Sequence, residues 1–494
     1  MTGASFATLF AWEWRRVAAT PLFWLIQGAL VASMIWAALD TAALHRGQDA
    51  AIARTLAADA AHRASVRQRF DAYRAPVTPA APVVPYWQDP SDVAGFSQYF
   101  VAPPATKPHL PLSPLTVGTS DLAPTRMEVK LATPFGIDER YDFENPRGLA
   151  LGRFDLAFVL ALLLPLALIL QHGLLVTFER DRGMLRLVAA QATAPRVWLT
   201  ARVAAITAWA MPMTLAGLVL ALAMAGAQLG SAVGELAAAL LLVVAYMAFW
   251  TGIALLVLSR LPGAAAALGT LAAIWAVLTL GVPLIASAII STVAPTPSAS
   301  VWIDAQRRVA DAIQRDRDRI IARAVAARPD LSGMADRIAT LDHATRLTFL
   351  APETERRFAA RHDARAVHAR DQAAWAAVIG YVAPPLGLTQ MLATLAGTDG
   401  GRHRAFEAQV RAYQLGLRRS LYPLVQREAV DPTSRVASRG KFSLSDPDII
   451  PAFAMTDAPS HRRTAVVLPF VAWLWFAGLT LGGLGLRRAD RWAL

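Results

Sequence analysis

The chain has 494 residues, 55% of them hydrophobic, and a mean hydropathy of +0.38, which is too apolar for a water-soluble protein of this length and indicates a membrane protein. Its formal net charge is +12, but the arginines are spread over the ends of apolar runs and one polar region, so nucleic-acid binding is not expected. The lack of cysteine excludes disulfides, thiol catalysis, cysteine-ligated zinc and iron–sulfur clusters.

The chain begins with an amphipathic segment that precedes the first apolar run. Four large apolar side chains share one helical face of this segment: Phe6, Leu9, Phe10 and Trp14. We expect residues 1–20 to form a helix on the cytoplasmic membrane surface, and residues 21–39 to form the first transmembrane helix. A cleaved signal peptide is the alternative, because Arg15 and Arg16 precede the run, but the run exceeds a typical signal-peptide core.

Residues 40–152 are too polar to remain in lipid and form the first predicted extracytoplasmic region. Apolar residues at helical spacing predict a helix over residues 49–73, and prolines within 76–90 and 103–114 then interrupt regular structure. Short extended pieces such as 127–131 are expected to pair in a small sheet.

A short charged segment, residues 177–197, follows the second predicted span at 154–176. Both of its ends enter the membrane on the same side, and its arginine density marks the cytoplasmic face. Gly183 can end or kink a turn, and the apolar residues after it could enter a groove on another protein. The alternative is an ordinary basic loop that only sets topology.

Three further apolar runs within residues 198–290, and a last one at 465–486, bring the predicted number of spans to six. Both termini then lie in the cytoplasm, together with the tail at 487–494. The charged segment at 177–197 and Arg260 fall on the same side, which is the expected arginine asymmetry.

The second polar region, residues 291–464, is expected to be mostly helical and extracytoplasmic, with Pro329 stopping one helix and Pro352 opening another. The helices over 49–73 and 301–327 each carry only an apolar stripe, so we expect them to pack on each other in one body. The predicted fold class is an α-helical polytopic membrane protein. It has six transmembrane helices and a mainly helical, minor β extracytoplasmic domain built from two insertions.

A turn in the second polar region combines glycines with a helix cap. Gly397 and the pair that follows at 400–401 favour a turn, and Thr398 or Asp399 can cap a helix that begins near Arg402. The string from residue 396 to His403 resembles a hallmark of the ABC-2-type transporter permease subunits. The branch concerned carries large extracytoplasmic insertions and is catalogued as a domain of unknown function.

The resemblance covers the whole chain in order. Its other parts are residues 12–16, Asn145-Pro146 with residues 151–155, and the segment 177–197, which is similar to the first coupling loop of these permeases. It implies ATPase-coupling residues at Glu179, Arg180, Asp181, Arg182, Gly183, Met184, Leu185 and Leu187. It also implies structural residues of the family pattern at Gly152, Arg153, Phe154, Asp155, Gly397, Thr398, Asp399, Arg402 and His403.

The same resemblance implies the partners of the chain. These are two copies of a cytoplasmic ABC ATPase subunit, which would hold ATP and magnesium, and a second permease subunit, identical or homologous. The apolar runs themselves imply the lipid bilayer, and an extracytoplasmic partner is left open. The expected location is the bacterial cytoplasmic (inner) membrane.

The sequence lacks the motifs that several kinds of catalysis and cofactor binding require. The sequence has no phosphate-binding Gly-x-x-x-x-Gly-Lys-Ser/Thr loop, no paired-histidine zinc motif and no Gly-x-Ser-x-Gly elbow, so neither catalytic residues, metal nor a cofactor is expected on this chain. The predicted spans carry no Asp, Glu or Lys near mid-membrane, and Gln171 and His172 lie toward a span end. This pattern argues against an ion-coupled carrier and for energy supplied by another subunit.

The expected function is that of a permease subunit that couples ATP hydrolysis in a separate subunit to substrate movement or to an extracytoplasmic conformational change. Two alternatives stay open. One is an ABC mechanotransmission component that acts on an extracytoplasmic partner without transport. The other is a membrane-anchored extracytoplasmic binding or sensor protein.

Overall fold

The computed structural model describes residues 5–75, 84–133, 153–181, 194–261, 263–293, 295, 299–432 and 440–489. The principal helices are α1 (Phe6–Ala18), α2 (Pro21–Arg74), α3 (93–100), α4 (156–181), α5 (Pro195–Met224), α6 (Val233–Leu258), α7 (Ala264–Val293), α8 (Ala299–Arg315), α9 (Arg317–Ala326), α10 (His343–Val382), α11 (Pro384–Ala396), α12 (Gly400–Val430) and α13 (Ser460–Ala489). Strands β1 (Pro104–Thr106) and β2 (Arg126–Glu128) form one antiparallel pair in which Ala105 faces Met127. The predicted small sheet is therefore present.

Six helices are long and apolar enough to cross a membrane: α2, α4, α5, α6, α7 and α13. They coincide with the six apolar runs of the sequence. Helices α4 and α6 lie at the centre of the bundle, whereas α7 is the least buried of the six. These helices support a multi-pass membrane protein.

Helix α2 continues far beyond the predicted first span. It is 54 residues long, which at 1.5 Å per residue is about 80 Å. No proline occurs between residue 40 and the end of the helix, so nothing separates the apolar part from the predicted helix at 49–73. One rod therefore connects the bundle to the polar regions, where Val66 and Phe70 are buried.

Helices α6 and α13 approach each other closely through glycine. A Cβ atom on Gly252 would lie 2.2 Å from the carbonyl oxygen of Gly478, and one on Gly478 would lie 2.8 Å from that of Ala248. Such small residues allow backbones to touch in a membrane, where helix association depends on close packing. At the end of the same pair, Arg463 binds Glu235 at 2.5 Å.

Helix α4 contains a π-helical turn at Val159–Leu163, and two aromatic side chains bind carbonyl groups in it. The Tyr246 hydroxyl donates to Ala161 at 2.8 Å, and the Trp275 indole N–H donates to Leu162 at 3.1 Å. Both donors come from other spans, so they replace backbone bonds that a π-turn disturbs.

The two polar regions form one body, as expected. Val66 and Phe70 of α2 share a core with Phe406 and Val410 of α12, and Arg418 donates to the Leu131 carbonyl at 2.8 Å. The polar body is defined here as the outer half of α2, residues 84–133, α8 to α10, α12 and residues 440–457. Helix α11 packs instead in the core of the bundle, through Leu388 and Leu392.

The expected pairing within this body is wrong. Helices α8 and α9 bury Ile313 and Ile321 against Leu331 and Met334, which belong to the 3₁₀ segment Pro329–Thr340, and not in the core that holds the outer half of α2. The physical reason is local: the chain after α9 turns back at once and supplies the apolar partners.

Pro352 does not open a helix. It lies inside α10, which begins at His343 and is capped by Asp342, whose side chain accepts from the Thr345 N–H at 2.8 Å. Burial of the preceding turn, including Phe349, outweighs the backbone bond that the proline removes.

Candidate functional site

The described residues do not include most of the predicted coupling site. Arg182, Gly183, Met184, Leu185 and Leu187 lie outside them, as does Gly152 of the family pattern. Helix α4 ends at Asp181, so the backbone of Glu179, Arg180 and Asp181 is helical, and their side chains are outside the description. What is described on both sides of the segment is the end of α4 and the start of α5.

These two helix ends meet α1 at a buried ion pair. Arg202 of α5 lies 2.5 Å from Glu13 of α1, and the relative exposures of the two side chains are 2% and 0%. The same guanidinium donates to the carbonyl of Leu175 in α4 and lies 5.3 Å from the ring of Trp198. One side chain thus joins three helices immediately beside the segment 177–197.

Aromatic contacts hold α1 in the same place. Trp14 stacks on Trp209 of α5 with 4.3 Å between ring centroids, and the Trp209 indole donates to the Trp14 carbonyl at 3.2 Å. Trp24 of α2 packs edge-on against Trp209 at 5.4 Å. Helix α1 therefore docks on the bundle with part of its apolar face, while Phe6 and Trp12 remain exposed.

A second group of buried polar residues continues away from the ion pair, between α2, α4 and α5. Gln27 donates to Thr214 at 3.0 Å, and Gln171 donates to the Gln27 side-chain carbonyl at 3.0 Å. His172 lies 3.2 Å from the Thr207 hydroxyl. We call these five residues the polar seam; all but Thr207 are nearly inaccessible to solvent.

Sequence reasoning missed the seam and the ion pair. Gln171 and His172 were expected to be residues of a span end, and Glu13 was expected on a surface helix. The sequence did show polar residues inside apolar runs, and such residues in a membrane helix usually indicate a functional position. Their pairing depended on contacts between segments that are distant in sequence.

The ion pair and seam suit mechanical connection better than catalysis. Their hydrogen-bonding groups face one another between helices and so join the helices that carry them. In the described ranges, no group of three His, Cys, Asp or Glu residues is arranged to hold a metal ion.

The family-pattern residues gather at a different place, around residues 107–120, here called the junction loop. Asp155 caps α4 by accepting from the Phe158 N–H at 2.8 Å. Its other carboxylate oxygen accepts from the Thr116 hydroxyl at 2.6 Å and the Val117 N–H at 3.0 Å. One buried aspartate therefore starts a span and fixes the loop to it.

The turn between α11 and α12 holds the other side of this loop. Gly397 ends α11 at a φ of 70°, which favours glycine, and the Thr398 carbonyl accepts from the N–H and hydroxyl of Thr119 at 2.8 and 2.9 Å. Asp399, as predicted, caps α12 by accepting from two backbone N–H groups at 2.7 and 3.1 Å.

Charged residues add further bonds between the junction loop and the start of α12. Arg402 binds both carboxylate oxygens of Asp457 at 2.6 and 3.0 Å and donates to the Pro108 carbonyl at 2.7 Å. Lys107 lies 3.2 Å from His403 Nδ1. The loop, the start of α12 and the segment before α13 are thus joined.

Burial changes the ionisation of this cluster. Desolvation lowers the pKa of Lys107 to about 8, and the nearby charge of Arg402 acts in the same direction. Burial alone would raise the pKa of Glu407, but the hydrogen bond and charge of His403 lower it. Of the remaining family-pattern residues, Phe154 packs on Phe158 at 5.3 Å, and Arg153 is close enough to affect the charge state of His45.

A cavity of about 640 Å³ lies in the polar body. One wall is the outer half of α2, with Arg54, Asp59 and His62, and the other includes Arg126 and Glu128 of β2. Its size is within the range of small-molecule sites.

Comparison with known proteins identifies one family match. Residues 300–439 match the family model described as Domain of unknown function (DUF3526), which covers most of the second polar region, including Gly397 to His403, and less than half of the chain. No curated protein and no solved structure matches the chain.

Proposed function

We propose that this chain is the membrane-spanning permease subunit of an ATP-driven ABC exporter, located with both termini in the cytoplasm of a bacterial inner membrane. A separate ATPase, present in two copies, would bind ATP and magnesium, and a second permease chain would complete the membrane part. The observation that carries the proposal is the buried Glu13–Arg202 pair, because it joins α1, α4 and α5 beside the segment 177–197.

The contacts support a route for movement from the ATPase into the bundle. When the segment 177–197 is displaced, the end of α4 and the start of α5 must follow it. Arg202 binds groups on α1 and α4, so these helices move with α5 and do not slide independently. The polar seam then connects α4 and α5 to α2 through Gln27. Side-chain networks between packed helices are a physical means of such coupling.

The decisive experiment is purification of the tagged chain with its ATPase. Changing Leu185 or Leu187 to aspartate should abolish copurification of the ATPase, because apolar anchors in a small interface often contribute 2 kcal/mol or more. Arg182→Glu should weaken it less, since exposed rim charges contribute about 1 kcal/mol or less. Wild-type copurification in both leucine variants would refute the assignment of this segment.

Topology has an independent test because the sequence contains no cysteine. Single cysteines at Ala57 and Ala360 should react with an impermeant maleimide added to intact cells, and one at Ala190 should react only after lysis. Labelling of the Ala190 variant in intact cells would refute the proposed orientation.

The continuous α2 favours mechanotransmission as a second candidate function. A helix of 54 residues runs from the α1 contact into the core of the polar body, so it can carry a displacement across the membrane without a substrate path. Ala50→Pro should kink this rod on the polar side of the first span. If the unaltered chain transports a substrate and Ala50→Pro abolishes only the ATP-dependent movement of the polar body, the exporter is supported. If the unaltered chain transports no substrate and Ala50→Pro abolishes this movement, mechanotransmission is supported.

A sensor is the third candidate, and the cavity beside α2 is the observation that favours it. Recovery of the full chain from its native membrane without an ATPase would support the sensor and contradict both ABC functions.

A further inference from the structure

Two histidines stack where α2 meets the junction loop. The rings of His45 on α2 and His109 on the loop have centroids 4.2 Å apart and planes inclined by 24°. The pair borders a cavity of about 180 Å³ that is also lined by Ser113 and by Gln228, just after α5. It therefore lies where the helical bundle ends and the polar body begins.

His109 is held by acceptors on both sides. Its Nδ1 lies 2.7 Å from Asp49 Oδ1, and its Nε2 lies 3.0 Å from Gln48 Oε1. The Gln48 amide nitrogen donates to the Ser120 carbonyl at 2.7 Å, which fixes the oxygen toward His109. Both ring nitrogens of His109 therefore lie within hydrogen-bonding distance of an oxygen on α2, which holds the junction loop against this helix.

His45 has the opposite environment. Its side chain is 3% exposed, and neither ring nitrogen has a hydrogen-bond partner among the described residues. A proton added to this ring would place a buried positive charge against His109 and near Arg153. Asp49, already bound to His109, and the exposed Arg46 are the other charged groups around the cavity. Neutral His45 is therefore the form that fits the stack.

The junction loop has attachments on several other elements. It binds Asp155 at the start of α4, Thr398 at the α11–α12 turn and, through the Pro111 carbonyl, the N–H of Gln228 after α5. Opening of its contact with α2 would change how the bundle and polar body are joined.

We propose that the His45–His109 stack is a pH-sensitive latch that keeps the junction loop closed on α2 and releases it when His45 gains a proton. The inference does not depend on the proposed ABC function, since it concerns contacts within this chain alone.

The direction of the pH effect follows from burial. Desolvation, followed by the neighbouring His109, lowers the pKa of His45 in the closed state from its ordinary value of 6.5 to about 3. The open state therefore binds more protons below about pH 6.5, and the closed state loses stability as pH falls from there toward 3. When His45 has the ordinary histidine pKa in the open state, the ratio of open to closed molecules should rise roughly thirtyfold as the pH falls from about 7.5 to 5.0.

The test uses the full-length protein in lipid nanodiscs. A cysteine replaces Ser113, which is 6% exposed and lines the cavity, and its rate of alkylation is divided by that of a cysteine at exposed Ala57 to correct for thiolate formation. We expect the corrected rate to rise at least tenfold as the pH is lowered from about 7.5 to 5.0. In the His45→Phe background, which keeps an aromatic ring in the stack, the rate should stay constant.

Two controls separate latch opening from other effects. His62→Phe changes an exposed histidine on the same helix and should leave the rise intact. A cysteine at Ala351, buried in the core of the polar body, should stay protected. A flat profile for the Ser113 cysteine, an equal rise in the His45→Phe background, or simultaneous exposure of the Ala351 cysteine would overturn the proposal.

Discussion

The base of the helical bundle and the junction loop both bind polar groups away from water, but they do so differently. At the base, one close ion pair joins Glu13 to Arg202, which also donates to the Leu175 carbonyl and lies against the Trp198 ring. Around the junction loop, Asp155, Thr398 and Arg402 each bind more than one group, and many of those groups are backbone N–H or carbonyl groups.

This difference predicts how the stability of each region responds to the loss of one contact. Loss of one charge at the base leaves the other buried without its partner, which is costly in a low-dielectric interior. Loss of one contact of the junction loop, including the proposed release from α2, leaves the loop attached to α4 and to the α11–α12 turn. A movable transmission point is expected to have few and strong contacts, and a fixed attachment to have many and redundant ones.

The largest effect should follow from breaking the ion pair. Arg202→Met leaves Glu13 buried and unpaired, and we expect a loss of about 3–5 kcal/mol in the free energy of unfolding. Denaturant titration in detergent would measure it. The double variant Glu13→Gln with Arg202→Met should recover part of the loss, and Arg15→Met, at an exposed position of α1, should cost under about 1 kcal/mol. Equal losses in the single and double variants would contradict the pairing.

The close approach at the junction should give the next largest effect. Gly118 has a φ of 54°, and a Cβ atom there would lie 2.5 Å from the Thr398 carbonyl oxygen. Gly118→Ala should therefore lose about 2–3 kcal/mol through strain and displacement of the turn. Gly226 has a φ of 82° and nothing within 4 Å of the corresponding Cβ position, so Gly226→Ala isolates backbone strain. Thermal unfolding measures the melting temperature of each variant. Equal decreases in the two variants would refute the close contact between Gly118 and the Thr398 carbonyl.

Lys107 makes the junction sensitive to alkaline pH. The folded state lowers the pKa of this amine from 10.5 to about 8, so the unfolded chain binds more protons between these values and stability rises with pH across that window. The contribution of Lys107 to the free energy of unfolding should rise by about 1.5 kcal/mol between pH 8 and pH 9.5. Lys107→Met should remove this part of the slope, measured by denaturant titration, whereas Lys441→Met at an exposed site should preserve it. An unchanged slope in Lys107→Met would argue against burial of a charged amine.

The smallest effect is expected within the polar seam itself. Gln171→Leu removes an amide whose Oε1 has no hydrogen-bond partner in the described part of the chain, so it should cost under about 1 kcal/mol. Gln27→Leu removes the residue that joins Gln171 to Thr214 and should cost more, about 1–2 kcal/mol. Unfolding in detergent compares the two, and the reverse order would mean that Gln27 is not the central member of the seam.

The sequence predicted the spans and the small sheet from hydropathy and local patterns, and it marked Thr398 or Asp399 as a helix cap. The spans and the cap depend on residues close together in sequence. Its two errors have different causes. At Pro352, burial of the preceding turn outweighed the preference of proline for a helix start. At α8 and α9, the segment that follows directly in sequence supplied apolar partners before the outer half of α2 could.

The sequence by itself therefore determined which segments are apolar enough to cross a membrane and where the polar regions interrupt them, because hydrophobic transfer depends on composition over one segment. Only the tertiary structure decided that Glu13 meets Arg202, that Gln27 meets Gln171, and that Asp155 and Thr398 hold the same loop. These partners are far apart in sequence, and a buried polar group is stabilised by whichever complementary group the packing of helices brings within bonding distance.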